Sequence, residues 1–140
     1  MNTFLPYSDY IKSGKSLDNK RLGKQRVEVL QMLNKINGVT HGRGWTNHPC
    51  TKMWQNNMNS LVDYGLAICQ AWTERGYKDT CHEKIKKHFN KNLTTQKPQW
   101  LGREDLHLSH KSKLIQKFPQ YYRPLFPGIP ENLEYVWPVE

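Results

Sequence analysis

Apolar residues recur at helical spacing in four stretches of the chain, and no segment alternates with the two-residue period of a half-buried strand. In residues 17–33, Leu22, Val29, Leu30 and Leu33 share a stripe with Arg26, and only Gly23 argues against a helix. Ser16 is the expected N-cap, Asp18 the first-turn acid, and Asn37-Gly38 the stop. A second helix is expected to open at Pro49, capped by Asn47 or His48. Its stripe of Trp54, Met58, Leu61, Gly65, Ile68, Cys69 and Trp72 is core material, and Arg75-Gly76 ends it. A shorter helix begins at Asp79 or Thr80, with Ile85 and Phe89 inward and Lys84, Lys86, Lys87 and Lys91 on a solvated face. Another spans about residues 106–117 and stops before Pro119, since a residue preceding proline disfavours helical geometry.

The first sixteen residues read as an irregular lead-in. The tail from Gln120 to Glu140 holds Pro124, Pro127, Pro130 and Pro138 among Tyr121, Tyr122, Phe126, Tyr135 and Trp137, which predicts an extended strap packed over the helices. The expected class is therefore mainly α: a single compact domain, residues 1–140, of three to five helices with that lead-in and strap. A chain of 140 residues suits one core.

Charge narrows the function. A formal charge of +9 points to an anionic partner, nucleic acid before an acidic lipid surface. No stretch approaches the roughly 20 apolar residues of a membrane span, and the first residues do not resemble a signal peptide. Cys50, Cys69 and Cys81 are odd in number and widely spaced, as free thiols in a reducing compartment are. An intracellular, monomeric protein is expected.

The first helix is strongly basic, with Lys20, Arg21, Lys24, Arg26 and Lys35 against Asp18 and Glu28. Arg21, Lys24, Gln25 and Glu28 share one face, because residues three, four and seven apart stack together. A carboxylate there weakens polyanion binding unless it has another task. Its bland reading is a surface residue paired with Lys24 or Arg21. His48, Cys50, Cys81 and His82 are ligand types that zinc accepts, but no CxxC pair exists and adjacent Cys81 and His82 diverge on a helix, so neither metal nor cofactor is expected.

Three blocks resemble the phage-type pyrimidine-dimer DNA glycosylases, the T4-type endonuclease V family. They are residues 17–29 with Leu17, Leu22 and Glu28; His48 through the following helix to Arg75-Gly76-Tyr77-Lys78-Asp79-Thr80; and Ser109-His110-Lys111-Ser112-Lys113-Leu114 followed by Lys117, Pro119, Tyr121 and Tyr122. The resemblance implies a compact helical fold and a metal-free glycosylase with associated abasic-site lyase activity on damaged duplex DNA. Pyrimidine dimers are its first-choice lesion. A protein amine attacks the sugar C1′, a Schiff base forms, and β-elimination nicks the strand. The family's catalytic glutamate falls on Glu28.

The amine stays open among Met1, Asn2 and the lysines Lys20 and Lys24, since Asn2 is larger than the residues that usually permit methionine removal. The family also carries an arginine immediately before the glutamate, where this chain has Val27. The expected site is Glu28 with Met1 or Asn2, and DNA is expected to meet Lys20, Arg21, Lys24, Gln25, Arg26, His48, Lys111, Lys113, Lys117, Tyr121 and Tyr122, with Trp45 a further stacking candidate. Two rival classes are a non-catalytic helical DNA- or RNA-binding protein and a metal-dependent nuclease around His41 and His48.

Overall fold

The computed structural model describes residues 2–38 and 48–138; Met1, His41, Trp45 and Asn47 lie outside them. Among the described residues there are seven helices and no strand: α1 (Tyr10–Ser16), α2 (Asn19–Ile36), α3 (Pro49–Trp54), α4 (Met58–Glu74), α5 (His82–Lys86), α6 (Glu104–Lys117) and α7 (Pro119–Leu125). The class is mainly α, as the periodicity implied, but with more and shorter helices. The lead-in contains α1, capped by Asp9, whose side chain accepts from Lys12 N at 2.9 Å. Its sequence carries no helical stripe, yet Ser13 and Gly14 are buried, Gly14 against Ala67, Ile68 and Ala71 of α4.

Other boundaries also moved. Asp18, not Ser16, caps α2 by accepting from Arg21 N. The long second stripe is broken at residues 55–57 into α3 and α4, and apolar spacing alone cannot register such a break. His48 caps α3 through Nδ1, which accepts from Cys50 N at 3.0 Å. α5 ends at Lys86, so Phe89 is exposed rather than inward. The expected strap opens with α7, where Pro119 occupies the first turn and its missing N–H costs nothing.

α4 is the hub, packed on α1, α2, α3 and α5, while α6 and α7 pack together. Two close approaches set this packing. A Cβ at Gly65 would stand 2.8 Å from Val29 Cγ1 and 3.0 Å from Ile85 Cγ2, so glycine lets α4 meet α2 and α5. At Gly23 a Cβ would lie 2.9 Å from the Trp72 ring. Trp72 is sandwiched there, with Tyr77 stacked on it at 4.3 Å and the Arg26 guanidinium over it at 4.6 Å.

The segment at residues 75–80 works as a clasp. Arg75 donates to the carbonyls of Lys15 (3.1 Å) and Leu17 (2.6 Å) and to Asn19 Oδ1 (2.8 Å), tying α4 to the α1–α2 corner. Asp79 pairs with Arg26 and accepts from the Cys81 and His82 amides, which opens α5.

Residues 2–5 belong to no helix, yet Asn2, Thr3 and Leu5 are buried and Phe4 is half-buried. Backbone groups in such a place need partners, and here side chains supply them. Gln25 spans Asn2 and Phe4, accepting from Phe4 N (2.9 Å) and donating to Asn2 O (2.8 Å). Tyr64 donates its hydroxyl to Phe4 O at 2.7 Å. Leu5 N donates to His110 Nδ1 at 2.8 Å, and His107 Nδ1 donates to Leu5 O at 2.7 Å. His107 Nε2 in turn accepts from Gly102 N at 3.0 Å. The two histidines thus hold opposite tautomers, both neutral.

Two stability experiments follow from this packing. Gly65→Ala is expected to destabilise by about 1–3 kcal/mol through overpacking, despite alanine's better helix propensity, read as a lower denaturant midpoint. Burial pushes His110 down to about 3, so it is neutral when folded but takes a proton near its ordinary ~6.5 when unfolded. Its contribution is therefore complete above about pH 6.5 and declines as pH falls towards 3, by up to about 1.4 kcal/mol per unit. Unfolding free energies at pH 7 and pH 5 should differ by about 2 kcal/mol from this group, and His110→Gln should remove that part of the slope.

Candidate active site

α2 sends three neighbouring side chains in different directions, as 100° per residue requires. Gln25 points inward to residues 2–4, Arg26 turns to Asp79 and Trp72, and Glu28 faces a cavity. That cavity, about 260 Å³, is lined by Asn2, Phe4, Lys20, Arg21, Lys24, Gln25, Glu28, Lys117 and Tyr135. Four cations and one carboxylate therefore share its walls. The chain folds this way locally because residues 20, 21, 24, 25 and 28 occupy one face of α2, and the N-terminal segment is laid along that face.

Glu28 is largely shielded, its side chain only 12% exposed. Oε1 lies 3.6 Å from Lys24 Nζ, whose own side chain is 73% exposed. Oε2 accepts from the main-chain nitrogen of Asn2 at 3.4 Å. Asn2 is otherwise enclosed, its Oδ1 meeting Cys50 Sγ at 3.8 Å. Burial pushes the Cys50 thiol up to about 11, so it is packing rather than a nucleophile at neutral pH. The Tyr135 hydroxyl is likewise raised by burial.

A larger surface groove, about 860 Å³, lies away from this site between α1, α4 and residues 97–102. It carries Asp9 and Asp63 with Lys97, a mixed lining with no excess of cations to hold a polyanion.

The residues expected at a DNA surface divide in four. Lys20, Arg21, Lys24 and Lys117 line the cavity, with Arg21 also paired to Asp18 at 3.3 Å. Lys111 and Lys113 stand outside it: Lys111 lies over Tyr7 at 4.8 Å, and Lys113 pairs with Glu134 at 3.2 Å beside Tyr135. Gln25, Arg26, Tyr122 and His48 are committed elsewhere. Gln25 is spent on the backbone of residues 2 and 4. Arg26 is mostly buried in its pair with Asp79. Tyr122 is fully buried, donates to Asp18 and accepts from Asp18 N at 2.9 Å, so no base can stack on it in this arrangement. His48 caps α3 and meets Trp137 edge to face at 5.6 Å. Tyr121 remains half-buried, with Phe118 stacked against it at 5.8 Å.

Sequence reasoning missed Tyr64, His107 and His110 as supports of the site. The three-residue spacing of the two histidines, which puts both on one face of α6, was the available signal. No group of three or more His, Cys, Asp or Glu side chains able to hold a metal ion occurs among the described residues.

The description of pyrimidine dimer DNA glycosylases matches residues 1–85. The chain belongs to the pyrimidine dimer DNA glycosylase family. The match contains Glu28, the N-terminal segment and the clasp at residues 75–80, and stops before α6. No curated protein and no solved structure matches the chain. Membership makes it a DNA-repair enzyme of the glycosylase class, with pyrimidine dimers in DNA as the substrate. No helix among the described residues is long and apolar enough to cross a membrane.

The placement of the cations has a measurable consequence. Replacing Lys20 and Lys117 by Gln should weaken binding to undamaged duplex, and each lost phosphate contact should lower the slope of log K against log salt by about 0.9. Lys111→Gln and Lys113→Gln should change that slope far less, because their ammonium groups are engaged within the protein. Titrations at three salt concentrations check both statements.

Proposed function

We propose that the protein is a DNA glycosylase with associated abasic-site lyase activity, acting on pyrimidine dimers in duplex DNA through an amine at the chain's N-terminal end. The observation that carries this reading is the 3.4 Å approach of the Asn2 nitrogen to Glu28 at the floor of a cationic cavity. With Met1 removed, that nitrogen is an α-amine; with Met1 retained it is an amide and cannot attack, so the reading requires the processed chain. Its ordinary pKa near ~8, against ~10.4 for lysine, leaves a usable neutral fraction at physiological pH.

In the proposed reaction the cationic rim grips phosphates while the damaged nucleotide leaves the stack. The neutral amine attacks C1′, the bond from C1′ to the base breaks, and the base departs with the electron pair and takes up a proton. Loss of the proton from nitrogen and opening of the sugar give the imine. Removal of a C2′ proton then expels the 3′ phosphate, which nicks the strand. Glu28 stabilises positive charge developing at C1′ and relays protons in the later steps. Lys24 is the rival amine, since its Nζ also lies beside Glu28. The protein is expected to act as a monomer and without a metal.

Borohydride trapping on duplex DNA holding a dimer or an abasic site, in EDTA, tests the reading. A covalent adduct is expected with the wild-type chain. Glu28→Gln should lower its rate by a factor of about 10² or more, in the range of general acid–base contributions, while duplex binding persists. Peptide mapping should place the adduct on the N-terminal peptide, and Lys24→Arg should still trap. An adduct on residue 24 would transfer the nucleophile to that lysine; absence of any adduct with intact duplex binding would replace the lyase by a non-catalytic binding module.

A further inference from the structure

Gln25 shares the cavity wall with Glu28, one turn earlier on α2, yet it is only 2% exposed and its carboxamide faces the N-terminal segment. Both ends of that carboxamide are used. Oε1 accepts from Phe4 N at 2.9 Å, and Nε2 donates to Asn2 O at 2.8 Å. Tyr64, itself fully buried on α4, donates its hydroxyl to Phe4 O at 2.7 Å and lies 3.2 Å from Gln25 Oε1. A primary carboxamide is the side chain that carries a donor and an acceptor in one rigid plane. It therefore reads the backbone of residues 2 and 4 as a neighbouring strand would.

The consequence is positional. The nitrogen facing Glu28 is the amide of the same residue whose carbonyl Gln25 holds. Gln25 and Glu28 project from adjacent turns of one helix, so their separation is fixed by helix geometry. A slip of the N-terminal segment by one residue would break both Gln25 bonds and withdraw the nitrogen from the carboxylate together. His110 and His107 hold Leu5 three residues further on and leave the end of the segment unrestrained. The Asn2 carbonyl held by Gln25 is the main-chain hydrogen bond adjoining that nitrogen, while Thr3 is held only through its side chain by Trp54.

We infer that Gln25 is a positioning residue, which sets the register of residues 2–4 so that the reacting nitrogen stands at Glu28, with Tyr64 holding the Phe4 carbonyl of the same segment. The assignment rests on the amine mechanism proposed above. It also gives Gln25 a task other than contact with DNA. Displacement of reacting groups by about 1 Å can cost roughly a hundredfold in rate, so the effect is large when measured on the chemical step.

The test uses the full chain and a duplex with a single abasic site. Single-turnover borohydride trapping is compared with equilibrium affinity for Gln25→Met, which keeps size and removes both hydrogen-bonding ends. The expected result is trapping slowed at least tenfold per folded molecule, with affinity within twofold of wild type and with Glu28 unaltered. Tyr64→Phe, a smaller change, should slow trapping about threefold with affinity again intact, and it carries the test should Gln25→Met not fold. Wild-type trapping rates in both variants would overturn the positioning role while leaving the lyase reading intact. Parallel loss of rate and affinity would make Gln25 a DNA contact and overturn it equally. No adduct with the wild-type chain removes the amine mechanism itself and this assignment with it. A lowered melting temperature with unchanged trapping below it would identify a merely structural residue and also refute the inference.

Discussion

The buried course of residues 2–5 is the constraint around which the rest of the molecule is arranged. A segment that enters the core outside any helix or sheet has no regular ladder to satisfy its amides and carbonyls, and a buried group left alone costs about 1–3 kcal/mol. Five side chains from three helices answer this: Gln25 and Glu28 from α2, Tyr64 from α4, and His107 and His110 from α6. Each of those helices must stand at a fixed distance from the segment, so the segment acts as a template for their packing. Thr3 extends the same logic into the aromatic core, where its hydroxyl accepts from Trp54 Nε1 at 2.9 Å. Trp54 in turn stacks near Tyr64 at 5.9 Å and meets Trp100 edge to face at 4.9 Å.

This arrangement joins stability to the chemistry proposed for Glu28. The contacts that let the segment be buried also bring a main-chain nitrogen to Glu28, so the site is organised by the fold's own hydrogen bonds rather than by a loop closing over substrate. The charge distribution is divided accordingly. Buried acids are matched within the protein, Asp18 by Arg21 and Tyr122, Asp79 by Arg26 and two amides. Held by Arg26 and those amides, the Asp79 carboxyl lies below its ordinary range. Lys20, Lys24 and Lys117 are exposed along the cavity rim, where a backbone phosphate can reach them. Glu28 is the acid left facing the cavity.

How much of this could be read from residues alone depended on whether the signal was periodic. The α2 stripe, the cationic face around Glu28 and the helical class were legible because burial of one helix face leaves a 3.6-residue pattern. The C-terminal end of α6 and the cap at His48 were legible from proline rules and cap chemistry. α1 was not, because a seven-residue helix of Tyr, Ser, Gly and Lys is held by contact with α4 rather than by its own composition. α7 was hidden by its prolines, one of which sits harmlessly in the first turn. The roles of Gln25, Tyr64, His107 and His110 were invisible for a different reason. Their partners are backbone atoms up to 105 residues away, and a backbone acceptor leaves no mark on the sequence. Gln25 was expected at the DNA surface because it shares the helix face of Glu28, and Tyr122 as an aromatic able to stack; both are buried in this arrangement.

The step from Arg26 to Val27 to Glu28 shows how one position along a helix separates binding from structure. Val27 is 42% exposed, while Arg26 is turned towards Trp72 and Asp79. An arginine immediately before the glutamate, as the family resemblance would have it, would thus project into solvent and be free to meet a phosphate. At position 26 the guanidinium instead closes the clasp at residues 75–80, where Asp79 also caps α5. The cation is spent on holding α2 to the α4–α5 corner, and the rim must draw its charge from Lys20, Arg21, Lys24 and Lys117. Of these, Lys117 arrives from α6, beyond the portion of the chain that the family match covers. The second half of the chain therefore does more than cover the core: through His107, His110 and Lys117, α6 supplies two fixed points for the N-terminal segment and one wall of the cavity it helps to form.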